Sequence, residues 1–103
     1  MSASPATKPP PHAIDEANVV CYTPIDERHR FTGKTRQIVA GQLMGPMAAL
    51  AICQYADDPG FYLFGCDTDW RSITDTYHET LKEAKEQAEF EYAGVTQTWT
   101  QVV

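Results

Sequence analysis

Residues 66–80, with the sequence CDTDWRSITDTYHET, contain four acidic side chains, one cysteine and one histidine. Thiolate, imidazole and carboxylate groups are the ligands that proteins offer to zinc and iron, and carboxylates also bind calcium. The same groups act as nucleophiles, bases and acids in catalysis. The side chains that could do this chemistry are Cys66, Asp67, Asp69, Asp75 and His78.

The spacing of these residues does not fit a calcium-binding loop of the EF-hand type. Such a loop needs oxygen ligands at positions 1, 3 and 5, glycine at position 6 and glutamate at position 12. If the loop began at Asp67, Arg71 would fill position 5, Ser72 position 6 and His78 position 12. The arginine would repel the cation, so the pattern excludes this site.

A β-hairpin explains the stretch without a bound ion. Aspartate at a tight turn accepts hydrogen bonds from its own backbone, which accounts for Asp67 and Asp69. With Asp67 and Trp70 at the ends of the turn, Cys66 and His78 lie on opposite faces and at opposite ends of the strand pair. We therefore predict no catalytic residues, no metal ligands and no cofactor. The alternative is a small enzyme or metal-binding protein that uses Cys66, Asp67, Asp69 and His78.

The charge distribution disfavours nucleic acid as a partner. The net charge is −6, and residues 57–103 hold ten acidic and three basic side chains, a balance of −7. Binding to phosphate needs a basic face, and the one basic cluster is interrupted by Asp26 and Glu27. That cluster consists of Arg28, Arg30, Lys34 and Arg36.

The N-terminal region and the cysteines predict a cytoplasmic protein without a membrane partner. No apolar run approaches the length that crosses a bilayer, and the first residues lack the features of a signal peptide. In a reducing compartment the three cysteines would be free thiols. Four of the seven prolines fall within the first eleven residues, so we predict a disordered tail at residues 1–16 and a single α+β domain at residues 17–103.

Three consecutive strand-like segments predict an antiparallel meander, at residues 48–55, 61–66 and 70–78. Pairing Tyr55 with Phe61 sets the register, and alternation then selects one face as the core. That face carries Leu50, Ile52, Phe64, Cys66, Ile73 and Tyr77.

The N-terminal half gives weaker signals. Residues 18–22 (NVVCY) predict a strand, and residues 26–36 predict a polar loop. Residues 37–45 (QIVAGQLMG) are ambiguous, because their β-branched residues favour a strand whereas Gly41 and the break at Gly45 keep it short.

A principal C-terminal helix is predicted at residues 80–93, packed on one face of a sheet of three or more strands. Thr80 and Glu83 form a capping box, although Thr76 and Glu79 fit the same pattern one turn earlier.

The residues after the helix complete the predicted fold. Gly94 can take the left-handed conformation that closes a helix, and residues 95–103 predict a last β-like segment. The predicted core consists of Leu50, Ile52, Phe64, Ile73, Leu81, Ala84, Ala88 and Trp99.

Residues 60–94, including the strings YLF, TDTYH and QAEFEY, resemble a strand–turn–strand–helix pattern of small uncharacterised bacterial proteins. The resemblance covers about a third of the chain and implies a bacterial, cytoplasmic α+β protein. It implies no activity and transfers no catalytic residue.

The helix offers the candidate contact with another protein. The helix packs on the sheet through a stripe of Leu81, Ala84, Ala88 and Tyr92. Phe90 lies about 180° from that stripe, and several glutamates stand where the helix dipole disfavours negative charge. We therefore expect a non-enzymatic interaction module with an acidic surface, either immunity-like or a regulatory adaptor, that binds a basic partner. A structural homodimer is the alternative. The candidate contact residues are Glu86, Glu89, Phe90 and Glu91.

Overall fold

The computed structural model of the chain describes residues 8–102, in which one helix packs on a curled antiparallel sheet. The predicted α+β fold with a C-terminal helix is therefore confirmed. No helix in the described part of the chain has the length and apolar character needed to span a membrane.

The long elements are β2 (Ala17–Pro24), β6 (Ala49–Gln54), β7 (Phe61–Cys66), β8 (Ser72–His78) and α1 (Leu81–Glu91). The short strands are β1 (Ala13–Ile14), β3 (Arg30–Phe31), β4 (Ile38–Val39), β5 (Gln42–Leu43), β9 (Tyr92–Ala93) and β10 (Thr100–Gln101).

The main sheet has the order β1-β2-β6-β7-β8, and β10 also pairs with β2. The meander of β6, β7 and β8 matches the sequence-based prediction, and β2 extends it on the side of β6. Two short ladders lie apart from this sheet. One joins β3 to β9, and the other joins β4 to β5 in a hairpin.

The predicted register between β6 and β7 is wrong by one residue. Ile52 lies opposite Leu63 and Ala51 lies opposite Phe64. Because side chains alternate between faces, a slip of one residue exchanges the two faces of a strand. Leu63 therefore joins Leu50 and Ile52 against the helix, whereas Phe64 packs on the other side of the sheet.

The turn between these strands causes the slip. The Asp58 N–H donates to the Tyr55 carbonyl at 3.2 Å, so the turn already begins at Tyr55 and the strand ends one residue earlier. The Asp58 carboxylate also accepts the Gly60 N–H at 2.8 Å. Side-chain-to-backbone bonds of this kind fix a turn more firmly than the apolar pattern of the flanking strands does.

Ile73 lies at an irregularity between β7 and β8. The register shifts between Gly65 and Cys66, and Phe64 faces Asp75 instead of Ile73. Ile73 is consequently half-buried and is not a core residue, contrary to the prediction.

Two apolar clusters form on opposite faces of the sheet. The cluster under the helix contains Leu50, Ile52, Leu63, Ala84 and Ala88, with Leu81 and Trp99 partly buried at its margin. The second cluster is covered by the N-terminal strands and the Trp70 ring, and it contains Ile14, Ala17, Val19, Ala49, Ala51, Cys53, Phe64 and Cys66.

The folded part of the chain begins before the predicted boundary at residue 17. Ile14 is buried in the second cluster, and β1 pairs with the start of β2. The Trp70 Nε1–H donates to the Lys8 carbonyl at 2.8 Å. Residues 8–16 are thus held by specific contacts, while the remainder of the predicted tail, residues 1–7, lies outside the described residues.

The helix starts where the capping box at Thr80 places it. The Thr80 hydroxyl accepts the Glu83 N–H at 3.1 Å, and the Glu83 carboxylate accepts the Glu79 N–H at 3.3 Å. The helix ends at Glu91, two residues before the predicted end, because Tyr92 is extended and pairs with Phe31.

Gly94 has the predicted left-handed conformation, with φ of 104°, but it does not close α1. It instead begins a short 3₁₀ turn at Val95–Gln97, and β10 follows after that turn. The left-handed glycine thus redirects the chain towards β2 after the short strand β9.

Candidate functional site

The sequence-derived metal candidates are not gathered into one site. Cys66 lies opposite Ser72 at one end of the β7–β8 ladder, and His78 lies opposite Phe61 at the other end. Asp75 is exposed on β8. Within residues 8–102, histidine, cysteine, aspartate and glutamate side chains form no group of three that could hold a metal ion.

Asp67 stabilises the turn between β7 and β8. Its Oδ1 accepts the Asp69 N–H at 2.9 Å and the Arg71 N–H at 3.0 Å, and its Oδ2 accepts the Arg71 Nε–H at 2.9 Å. The bonds from the Arg71 backbone, with those from its side chain and from Asp69, hold the pKa of the Asp67 carboxyl below its usual range. The carboxylate serves as the acceptor of this turn, as the sequence predicts.

The cysteines are poor candidates for nucleophilic catalysis. Burial raises the pKa of the Cys21 thiol to about 11 and that of the Cys66 thiol to about 12. Burial also raises the pKa of Cys53. The reactive species is the thiolate, so these three side chains are protonated and act as small apolar groups at neutral pH.

The side chains of Asp26, His29 and Thr98 bring a carboxylate, an imidazole and a hydroxyl together. The sequence did not predict this cluster. The His29 Nε2 lies 2.8 Å from the Thr98 Oγ1, and the His29 Nδ1 lies 3.5 Å from the Asp26 Oδ1. A hydrolase triad uses the same three groups. The sequence gives no local signal for this contact, because sixty-nine positions separate the histidine from the threonine.

The hydrogen bonds around His29 do not suit a triad. The His29 Nδ1 accepts the Asp26 N–H at 3.1 Å, so the ring proton resides on Nε2 and points to Thr98. A general base would need Nε2 free to accept the proton of the hydroxyl. The Thr98 hydroxyl also lies 2.7 Å from the Thr23 hydroxyl. The constellation therefore joins three segments of the chain as a buried polar link.

The four helix residues predicted to contact a partner have different environments. Glu86 is exposed, and Phe90 is 48% exposed. The carboxylate of Glu89 accepts the Gly94 N–H at 2.9 Å and the Thr96 hydroxyl at 2.7 Å. Although burial alone would raise the pKa of Glu89, these hydrogen bonds hold it below its ordinary value.

Glu91 is only 8% exposed and accepts a hydrogen bond from the Gln87 Nε2 at 2.8 Å. Burial raises its pKa, and the bond from Gln87 opposes that shift. Glu89 and Glu91 thus form internal bonds, and the structure leaves Glu86 and Phe90 as the outward members of the predicted set.

Among the described residues, the most exposed large apolar side chains belong to the β4–β5 hairpin. Ile38 and Leu43 lie opposite each other in its ladder and are 68% and 57% exposed. Ala40 and Gly41 both have positive φ, at 52° and 80°. Two residues of this kind form the turn that matches the twist of a hairpin. The ambiguous segment 37–45 is therefore a short hairpin that presents its apolar residues to solvent.

Phe31 continues this apolar surface. Phe31 and Leu43 border one open depression of about 260 Å³, together with Thr35, Arg36 and Met44. The Phe31 ring lies 5.3 Å from the ring of buried Tyr92, which anchors it to the core. We call the group of Phe31, Ile38 and Leu43 the hairpin surface.

The loop between β3 and β4 connects the hairpin surface to the end of the helix. The Thr32 N–H donates to the Glu91 carbonyl at 3.0 Å, and the Thr32 hydroxyl donates to the Phe90 carbonyl at 2.6 Å. The Lys34 ammonium lies 5.3 Å from the centre of the Phe90 ring. Phe90 therefore lies beside the loop that carries Phe31.

Comparisons of the chain with models of protein families, with curated proteins and with solved structures found no match. The fold and the geometry together define a small α+β protein whose most prominent candidate site is an exposed apolar hairpin.

Proposed function

We propose that the protein is a non-enzymatic protein-binding module and that the hairpin surface is its contact. The observation that carries the proposal is the exposure of Ile38 and Leu43, which are paired on a two-stranded hairpin outside the main sheet. Contiguous exposed apolar side chains are unfavourable in water unless a partner covers them.

The hairpin has the construction expected of a binding element. The Met44 N–H donates to the Gln37 carbonyl at 2.8 Å, which closes the base of the hairpin. Met44 and Met47 lie beside it, and methionine adapts its shape to different apolar surfaces. A preformed hairpin loses little conformational entropy when a partner binds.

This proposal retains the protein-binding role expected from the sequence but changes the contact surface. The carboxylates of Glu89 and Glu91 form hydrogen bonds within the protein. Of the contact residues expected from the sequence, only the acidic Glu86 and the apolar Phe90 then remain available to a partner. The hairpin surface holds Ile38 and Leu43, which are more exposed than Phe90. Burial of apolar area is the main favourable contribution to most protein–protein association.

Affinity capture from the native extract tests the contact. Ile38→Ser/Leu43→Ser removes the apolar anchors and should abolish recovery of the specific partner, with a loss of at least about 2 kcal/mol in binding free energy. The matched control is Glu86→Lys, which alters the rival acidic contact and should retain the partner. Both variants must keep the melting temperature of the wild type. Equal recovery by wild type and the hairpin variant would contradict the proposal.

Self-association through β8 is a second candidate, because among the described strands β8 pairs only with β7 and leaves one edge open. Open edges pair readily with other strands. Analytical ultracentrifugation distinguishes the two ideas. A dimer that is disrupted by Asp75→Pro but unaffected by the hairpin variant would favour the edge strand.

A further inference from the structure

We propose that the partner of the hairpin surface is an acidic protein, whose contact presents apolar side chains flanked by aspartate or glutamate. This inference rests on the proposed function and specifies the chemistry of the partner. The acidic helix led us to expect a basic partner, whereas the hairpin surface favours a partner of the opposite charge.

The cations on β3 and on the loop that leads into the hairpin carry the argument. Arg30, Lys34 and Arg36 are all exposed, and they belong to β3 and to the loop that leads into β4. Within residues 8–102, none of these three side chains forms an ion pair. The other two arginines are each neutralised by a carboxylate, since Arg28 binds Asp26 at 3.0 Å and Arg71 binds Asp67 at 2.9 Å.

Glu91, which lies beside Phe31, is turned inward. Glu91 borders a small depression with Phe31 and Thr35, but its carboxylate is buried and bonded to Gln87. The Gln87 Nε2–H donates to the Thr35 hydroxyl at 3.2 Å. The polar side chains where the loop meets the helix therefore form hydrogen bonds with one another. The charged side chains of the loop that leads into the hairpin, Lys34 and Arg36, are thus both positive, although the whole chain carries −6.

Charge complementarity distinguishes three possible partners of the hairpin surface: a second copy of the chain, single-stranded nucleic acid and an acidic protein. A second copy that docked the same surface would bring two loops carrying Lys34 and Arg36 to one interface, and this repulsion disfavours a symmetric dimer here. Single-stranded nucleic acid would meet cations and the Phe31 ring, but Ile38 and Leu43 offer no aromatic face on which bases stack. A protein with an apolar centre and an acidic rim satisfies both the aliphatic and the cationic groups.

The test uses two designed peptides with leucine along one face and either glutamate or lysine along the other, and a thymidine oligonucleotide as a third probe. Each is titrated into the full ¹⁵N-labelled chain. We expect the glutamate peptide to shift the amide resonances of residues 30–43, with an affinity that falls as salt is raised. Lys34→Glu/Arg36→Glu should weaken this binding about tenfold or more, whereas the control Lys82→Glu should not.

Equal or tighter binding of the lysine peptide would overturn the acidic partner, as would preferential binding of the oligonucleotide. Absence of any shift in residues 30–43 with the glutamate peptide would overturn it too. The experiments can disprove the acidic partner without disproving the hairpin contact. If the hairpin variant loses its cellular partner while the glutamate peptide does not bind, the contact surface stands and only the acidic chemistry is wrong.

Discussion

The Nε2 of His29 lies 2.8 Å from the hydroxyl of Thr98, and this contact joins the loop before β3 to the segment before β10. The hydroxyl of Thr98 continues the link to Thr23 on β2. The His29 side chain is completely buried, so its hydrogen bonds have no replacement from water. The stability of the C-terminal segment should therefore depend on these polar groups.

Replacing Thr98 by valine should destabilise the protein by about 1–3 kcal/mol, because the buried His29 Nε2–H loses its acceptor. Thr98→Ser keeps the hydroxyl and should cost clearly less. Urea unfolding of both variants measures the difference. If the serine and valine variants are equally stable, the hydroxyl contributes nothing and the link is incidental.

Stability should fall as the pH is lowered below the ordinary histidine pKa of about 6.5. Burial lowers the pKa of His29, with Asp26 and Glu89 opposing this shift and Arg28 adding to it. The unfolded chain therefore takes up a proton at a pH where the native chain does not. Burial also lowers the pKa of His78, with Glu83 opposing, so both histidines contribute.

Unfolding experiments between pH 7 and pH 5 assign these contributions. The wild type should lose stability over this range, and His29→Gln and His78→Gln should each show a shallower dependence on pH. A slope that neither substitution changes would show that other groups cause it.

Glu91→Gln should raise the melting temperature at pH 7. Burial raises the pKa of Glu91, although the Gln87 bond opposes the shift. A carboxyl with a raised native pKa destabilises the fold once the pH rises through that pKa, because the native state then contains a desolvated charge. A glutamine at this position can still accept the bond from Gln87 without carrying the charge.

The gain from Glu91→Gln should shrink on acidification, since the native carboxyl is then already neutral. Exposed Glu86→Gln is the control and should leave the melting temperature nearly unchanged. A lower melting temperature for the Glu91 variant at neutral pH would contradict the prediction.

Thr80→Ala should destabilise the protein by about 1 kcal/mol, because the Glu83 N–H loses its acceptor at the start of the helix. Thr80→Ser retains the cap and serves as the control. Thermal unfolding compares the two variants, and equal melting temperatures would show that the cap contributes little.

Local interactions made the helix start predictable, whereas distant ones made its last turn unpredictable. Thr80 and Glu83 are neighbours in sequence, so their capping pattern is visible without the fold. Glu91 looks exposed on a helical projection, yet the loop carrying Thr32 and Thr35 packs over it from the other half of the chain.

The β6–β7 register and the β4–β5 hairpin were difficult to predict from the sequence for related reasons. Side-chain bonds in the turn after Tyr55 set the register, and apolar alternation fits either pairing. Residues 37–45 form a hairpin that neither cluster covers, so the usual burial pattern of a strand is missing. The same absence of cover makes the segment a candidate contact surface.

Strand β6 is covered on both faces, and its residues Ala49–Cys53 are all buried. Its amides should consequently exchange with deuterium only when the whole domain opens. The β4–β5 hairpin is held by its own short ladder outside the main sheet, so its amides should exchange through a separate, smaller opening. The hairpin can thus open locally while the central strand keeps the rest of the protein folded.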